Sequence, residues 1–175
     1  MRPASLCAVV LLVACRSVQT ASAPEGVAHA AMTNGANESV GDLRLERTAE
    51  GVRVTGELFN LPAGVHGIHF HEKGQCDGPD FTTAGGHFNP ASREHGLENP
   101  AGPHAGDMPN VTVGESGRVT IAVATPRVTL DSNATTGVLD ADGTAVVIHA
   151  TADDQRTNPS GNSGARIVCG VIRKG

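Results

Sequence analysis

The chain has 175 residues, enough for one domain with an ordinary core plus a removable leader. A formal net charge of -5 argues against a nucleic-acid partner and against a basic membrane-binding surface, and gives no general attraction for an anionic substrate. Trp and Tyr are absent and only 4 Phe are present, so the core must come from Val, Ile, Leu and Ala; with 22 Gly and many Thr and Val, the body reads as strands and turns.

The elements begin with a targeting segment. Met1-Arg2 supply a positive start, and Ala4 to Ala14 form an apolar run of signal-peptide length, too short to span a bilayer as a helix. Leu12-Val13-Ala14-Cys15 is similar to the lipobox of bacterial lipoproteins, so residues 1–14 are expected to be removed and Cys15 lipidated; a plain secretory cut after Ala21-Ser22-Ala23 is the other reading, with Pro24 in a poor context for cleavage. Residues 15–25 then form a short linker. Either way the mature chain leaves the cytoplasm, for the bacterial periplasm or cell envelope, and touches membrane only through the lipid.

From Gly26 onward the pattern predicts short strands over 26–33, 39–48, 51–60, 65–71, 109–113, 117–124, 144–150 and 166–172. Asn34-Gly35, Glu50-Gly51, Glu115-Ser116-Gly117 and Asp142-Gly143 mark turns between them. In the third run, Arg53, Thr55 and Glu57 alternate only imperfectly with Val52, Val54 and Leu58. About eight antiparallel strands imply an all-β sandwich or closed Greek-key barrel in one domain, 26–175. Two segments, 72–108 and 151–165, carry almost no strand signal, and loops this long in a compact domain are usually functional or disordered.

The chemistry-bearing residues lie at and within those loops. On a strand, residues i and i+2 share a face, so His69 and His71 present two imidazoles together while Ile68 and Phe70 face away. His149 ends the apolar run 145–149. His87 sits in Gly86-His87-Phe88-Asn89-Pro90, followed by His95, His104 and Asp107. Two four-coordinate sites need eight ligands, so seven residues suffice only if one bridges, and imidazolate can bind a metal at each nitrogen. His69, His71, His87 and His149 make an all-nitrogen set suited to copper. His87, His95, His104 and Asp107 make a three-nitrogen, one-carboxylate set suited to closed tetrahedral zinc. His29 lacks ligand spacing, and His66 falls on the strand face opposite His69 and His71, where a hydrogen-bonding structural role suits it. Cys76 and Cys169 are an even pair in an oxidising compartment and read as a disulfide closing a very long loop, with two independent thiols as the other reading.

Taken together, these motifs resemble those of copper/zinc superoxide dismutases. Gly67-Ile68-His69-Phe70-His71-Glu72 is similar to the family's first signature, and residues 161–172, Gly-Asn-Ser-Gly-Ala-Arg-Ile-Val-Cys-Gly-Val-Ile, to its C-terminal one. Gly86-His87-Phe88-Asn89-Pro90 and His104-Ala105-Gly106-Asp107 match its bridging and zinc segments. The resemblance runs from about residue 26 to the C-terminus. It implies an eight-stranded Greek-key barrel, the two ligand sets above, a Cys76–Cys169 disulfide, and conversion of superoxide to oxygen and hydrogen peroxide by alternate reduction and oxidation of copper. It further implies that Asp153 links His69 to His95, that His87 moves a proton, and that Arg166 attracts the anion. A homodimer is left open as the assembly. The segment 151–165 is shorter than in cytosolic eukaryotic members, and Asp154 and Arg156 match no role. A non-enzymatic envelope protein that binds or delivers copper is the alternative. Asn37-Glu38-Ser39, Asn110-Val111-Thr112 and Asn133-Ala134-Thr135 are glycosylation sequons, relevant only in a secreted eukaryotic protein.

Overall fold

The structure, a computed structural model, describes residues 26–175; the leader, Cys15 and the linker lie outside the described residues. It is all-β. β1 (Val27–Asn34), β2 (Ser39–Thr48), β3 (Gly51–Leu58), β4 (Gly64–His66), β5 (Ile68–His71), β6 (Val111–Val113), β7 (Val119–Thr125), β8 (Ala145–His149), β9 (Arg166–Val171) and β10 (Arg173–Lys174) follow in chain order. One antiparallel sheet curls in the order β5-β8-β9-β1-β2-β3-β7, with β10 added against β1, and β4 pairs with β6 in a second, two-stranded sheet.

Two expectations change. The strand predicted over 65–71 is broken at Gly67: β4 belongs to the small sheet and β5 to the large one. The hydrophobic run hid the break because both halves remain buried at His66 and Ile68. Residues 173–174, too short and polar to read as a strand, pair as β10 with Ala28 and His29.

Alternation builds the core. Leu43 and Leu45 of β2 are buried while Asp42 faces out. The imperfect alternation in β3 has a local cause: Val52, Val54 and Leu58 are the inward series, and Gly56 occupies its remaining inward position. Gly56 lies opposite Leu43, and a Cβ there would overlap the Asp42 carbonyl oxygen and stand 3.0 Å from the Leu43 side chain, so only glycine fits this close approach of β2. Ile68, Phe70, Val146 and Ile148 of β5 and β8 face the same core. The other face of those strands carries His69, His71 and His149, and it is covered by the long loops.

The first loop is held down separately. Cys76 and Cys169 form a disulfide that closes a separation of 93 residues. Around it Phe81, Ala84, Ala145, Val147 and Cys169 form a small second apolar cluster. Phe81 enters a single 3₁₀ turn, Thr82–Ala84, from the left-handed region with φ 54°. This turn is the sole helical element among the described residues.

Candidate metal centre

β5 presents His69 and His71 from one face, as the i, i+2 rule requires, and both are fully buried. β8 pairs with β5 through Ile68–Ile148 and His69–Val147, and on its other edge the pairing with β9 shifts register between Ile148 and His149. His149 stands at that irregularity, with its ring 4.9 Å from that of His69. The first loop brings His87 back beside β5 through a bridge with His71, and the His87 ring stacks on His69 with centroids 3.9 Å apart. The loop then returns Asp107 beside His69.

Two groups of donors result. Ligand atoms of His69, His71, His87 and His149 all lie within 4.8 Å of one another, and so do those of His87, His95, His104 and Asp107. His87 is common to both. Its Nδ1 is 3.0 Å from Asp107 Oδ1, while its Nε2 is buried with no hydrogen-bond partner.

The orphaned atoms test whether metals fit. Buried polar atoms are nearly always paired, so those left unpaired need an occupant. Within the cluster they are His69 Nδ1, His87 Nε2 and His104 Nδ1. The opposite ring nitrogens explain why these lone pairs point inward. The His71 Nδ1–H donates to the Gly85 carbonyl (3.0 Å) and the His149 Nδ1–H to the Gly164 carbonyl (3.2 Å), which frees Nε2 of each ring. The His69 Nε2–H donates to Asp153 Oδ2 (2.8 Å), and His95 Nε2 meets Asp153 Oδ1 (3.0 Å), which leaves Nδ1 of each as the inward atom. A second partner thus fixes each tautomer, as ligand shells require. Both groups suit cations: one is all nitrogen, the other three nitrogens with a carboxylate.

Electrostatics follow from burial. Desolvation lowers the pKa of His69 to about 3 and of His149 to about 4, and holds His71 and His87 below the usual imidazole range. These rings are neutral at pH 7, the form that binds metal. His95 goes the other way. Burial disfavours its charge, but hydrogen bonds to Asp107 and Asp153 outweigh that and raise it to about 9. Burial would raise the Asp107 carboxyl, yet contacts from His104, His87 and His95 and the Gly96 N–H hold it far below the carboxylate range.

Asp153 stands between the two groups, buried, as the resemblance implied. It is clamped by a residue the sequence did not single out for this purpose: Asn110 donates through Nδ2 to the Asp153 carbonyl (2.8 Å) and accepts the Asp153 N–H (2.9 Å). The middle sequon therefore spends its asparagine on the site. Gly161 (φ +63°) closes the second loop over Asp153 so tightly that a Cβ there would overlap Asp153 Oδ1. Arg166 is half-buried; its Nη1 donates to the Phe81 carbonyl (2.7 Å) and its Nη2 to the Gly85 carbonyl (2.6 Å), the same oxygen that His71 uses.

The remaining candidates fall outside the cluster. His66 is buried with Nδ1 2.8 Å from the His149 carbonyl and Nε2 2.9 Å from that of Pro62, a hydrogen-bonded structural role as expected. His29 is exposed on β1. Asp154, without a role from sequence, accepts the N–H groups of Arg156 (2.9 Å) and Thr157 (2.8 Å) and so shapes the second loop.

Comparisons with known proteins agree with this geometry. The family model described as copper/zinc superoxide dismutase matches residues 39–172. A copper-zinc superoxide dismutase of Aquifex aeolicus is 45% identical over 146 residues, 83% of this chain and 86% of the relative. Among solved structures, a double mutant of a superoxide dismutase-like protein from Bacillus subtilis has a TM-score of 0.79 at 46% identity, covering 82% of this chain and 95% of that one. The copper/zinc superoxide dismutase from Brucella abortus has a TM-score of 0.69 at 25% identity, covering 84% of this chain and 99% of that one.

Two outcomes are expected. Asp153→Asn places an amide NH₂ against one imidazole N–H and disturbs the tautomer of His69 or His95, so affinity for at least one metal should fall about 10–100-fold. Chelator competition measures this, and unchanged affinities for both metals would remove Asp153 from the site's support. After metals are stripped by chelation, stability should peak near pH 6.5. Below it, His69 and His149 must stay neutral until about pH 3–4 while the unfolded chain takes up protons, so stability falls with acidification. Above it, the contribution of His95 is lost as the pH rises through about 9. Thermal melts across pH 4–9 check both signs; a flat profile contradicts them.

Proposed function

Since the chain belongs to the copper/zinc superoxide dismutase family, we propose that it disproportionates superoxide, with His69, His71, His87 and His149 holding copper and His87, His95, His104 and Asp107 holding zinc. The observation that carries the assignment is His87, the one residue common to both donor groups, with a different ring nitrogen toward each. When bound, copper supplies one-electron exchange with superoxide and zinc supplies a fixed positive charge on the shared imidazole.

The chain's own residues supply the rest. Two superoxide anions and two protons give one oxygen and one hydrogen peroxide, so each turnover needs protons at a place shut off from water. His87 Nε2 is the atom for this. It is buried without a partner, and burial lowers the ring's pKa, so a proton taken there is readily given up. With Nδ1 committed to the donor group of Asp107 and the ring stacked on His69, Nε2 is the nitrogen left to change partner. Arg166 orients the anion. Two of its five N–H donors are spent on the Phe81 and Gly85 carbonyls, which hold the guanidinium rigid and leave the others for a small negative ligand. Partial burial strengthens that attraction relative to water.

We also infer that residues 1–14 direct export, that Cys15 is lipidated in the bacterial envelope, and that 15–25 link the anchor to the enzyme domain 26–175. The Cys76–Cys169 disulfide supports an oxidising compartment such as the periplasm.

Superoxide decay with the copper- and zinc-loaded domain, against a zinc-only preparation, tests the activity. Fast, copper-dependent decay is expected; a copper-bound protein without decay would instead be a copper carrier. Arg166→Ile should lower the rate on the order of tenfold or more and flatten its dependence on ionic strength, with metal content unchanged. A variant with native rate and salt response would take Arg166 out of the mechanism.

A further inference from the structure

One arginine outside every motif reaches the metal centre from behind. Arg127 follows β7 directly, after Thr125-Pro126, and the Thr125 hydroxyl accepts its backbone N–H (3.3 Å). Its side chain turns inward rather than to solvent, and Nη2 donates to the backbone carbonyl of Asp107. Its Nε is buried with no hydrogen-bond partner.

Asp107 is the hub of its donor group. Oδ1 stands 3.0 Å from both His87 Nδ1 and His95 Nδ1, and 3.4 Å from His104 Nδ1. Oδ2 accepts the N–H groups of Gly96 and His104, each at 2.9 Å. Those contacts orient the carboxylate but leave the backbone that carries it to be fixed by others. On one side the backbone bridges to His69. On the other, Arg127 takes the carbonyl. The next carbonyl, that of Met108, accepts from Gln155 Nε2 (3.3 Å), so two side chains from distant parts of the chain grip consecutive peptide groups.

One carbonyl oxygen needs only one neutral donor. A guanidinium costs far more to bury, and one with an unpaired Nε here is more than the hydrogen bond requires. What the guanidinium adds over a neutral amide is reach and a rigid, planar donor fork directed at this one carbonyl. We propose that Arg127 is a positioning residue for the zinc site, which holds the Asp107 backbone and so aims its carboxylate. The proposal rests on the zinc assignment of His87, His95, His104 and Asp107.

Cobalt(II) binding to the copper-free domain separates the two ideas, because its visible bands report tetrahedral geometry independently of activity. Arg127→Gln shortens the side chain and withdraws the donor from the Asp107 carbonyl, and Arg127→Lys keeps a donor of comparable reach. The wild type should bind one cobalt with tetrahedral bands. Arg127→Gln should bind cobalt and zinc about tenfold more weakly with shifted bands, and Arg127→Lys should recover most of the affinity. If Arg127→Gln matches the wild type in bands and affinity, the proposal is overturned, even if its melting temperature falls. Should Arg127→Gln not fold, Arg127→Lys decides alone: a tenfold loss in a folded Lys variant overturns the role of the donor. A wild type that shows no tetrahedral cobalt would overturn the zinc assignment itself.

Discussion

An imidazole can offer a metal only the nitrogen that carries no proton, and in a water-free space that choice is made by whatever the other nitrogen touches. This constraint organises the molecule. Asp153 accepts the proton-bearing Nε2 of His69 and faces that of His95, while the Gly85 and Gly164 carbonyls take the Nδ1–H of His71 and His149. Each acceptor comes from a long loop rather than from the barrel wall. The barrel supplies rigid β5 and β8, and the loops supply the acceptors that decide which way each ring works.

Holding the loops then becomes the structural problem, and the chain solves it with unlike devices. The disulfide and the apolar cluster around Phe81 fix the first loop, and through it the Phe81 and Gly85 carbonyls that steady Arg166. The second loop has no disulfide. Asn110 clamps the Asp153 backbone from both sides, and Asp154 gathers the turn that follows. Because the Gly85 oxygen serves both His71 and Arg166, the guanidinium and one ring of the all-nitrogen donor group share a single anchor.

Much of this was legible in the residues. The i, i+2 spacing of His69 and His71 put both rings on one face, and seven donors for eight places required a shared residue. The structure gathers all seven into two groups with His87 in common. The Cys76–Cys169 pairing follows the compartment argument. Less legible were features that depend on which backbone atom meets which side chain. The break at Gly67 left no mark in hydrophobicity, because both sides of it are buried. Gly56 blurred the β3 alternation because a missing side chain looks the same whether it points in or out. Asn110 read as a sequon, and Arg127 carried no signal at all, since their partners are distant carbonyl and amide groups.

Gly161 carries a consequence for how this protein can diversify. Its backbone lies against Asp153 and His95 so closely that no side chain fits there, whereas Arg156, Thr157, Asn158 and Pro159, just before it, are exposed. The stretch between is nevertheless tied to the ring beneath, because Asn158 Oδ1 accepts the His95 N–H (3.0 Å) and Asp154 gathers Arg156 and Thr157. Outward side chains there can be repainted, but its length and Asn158 are set by what they hold. Drift in this loop is thus confined to the side chains that face away from the rings, with Gly161 and Asn158 as its fixed points.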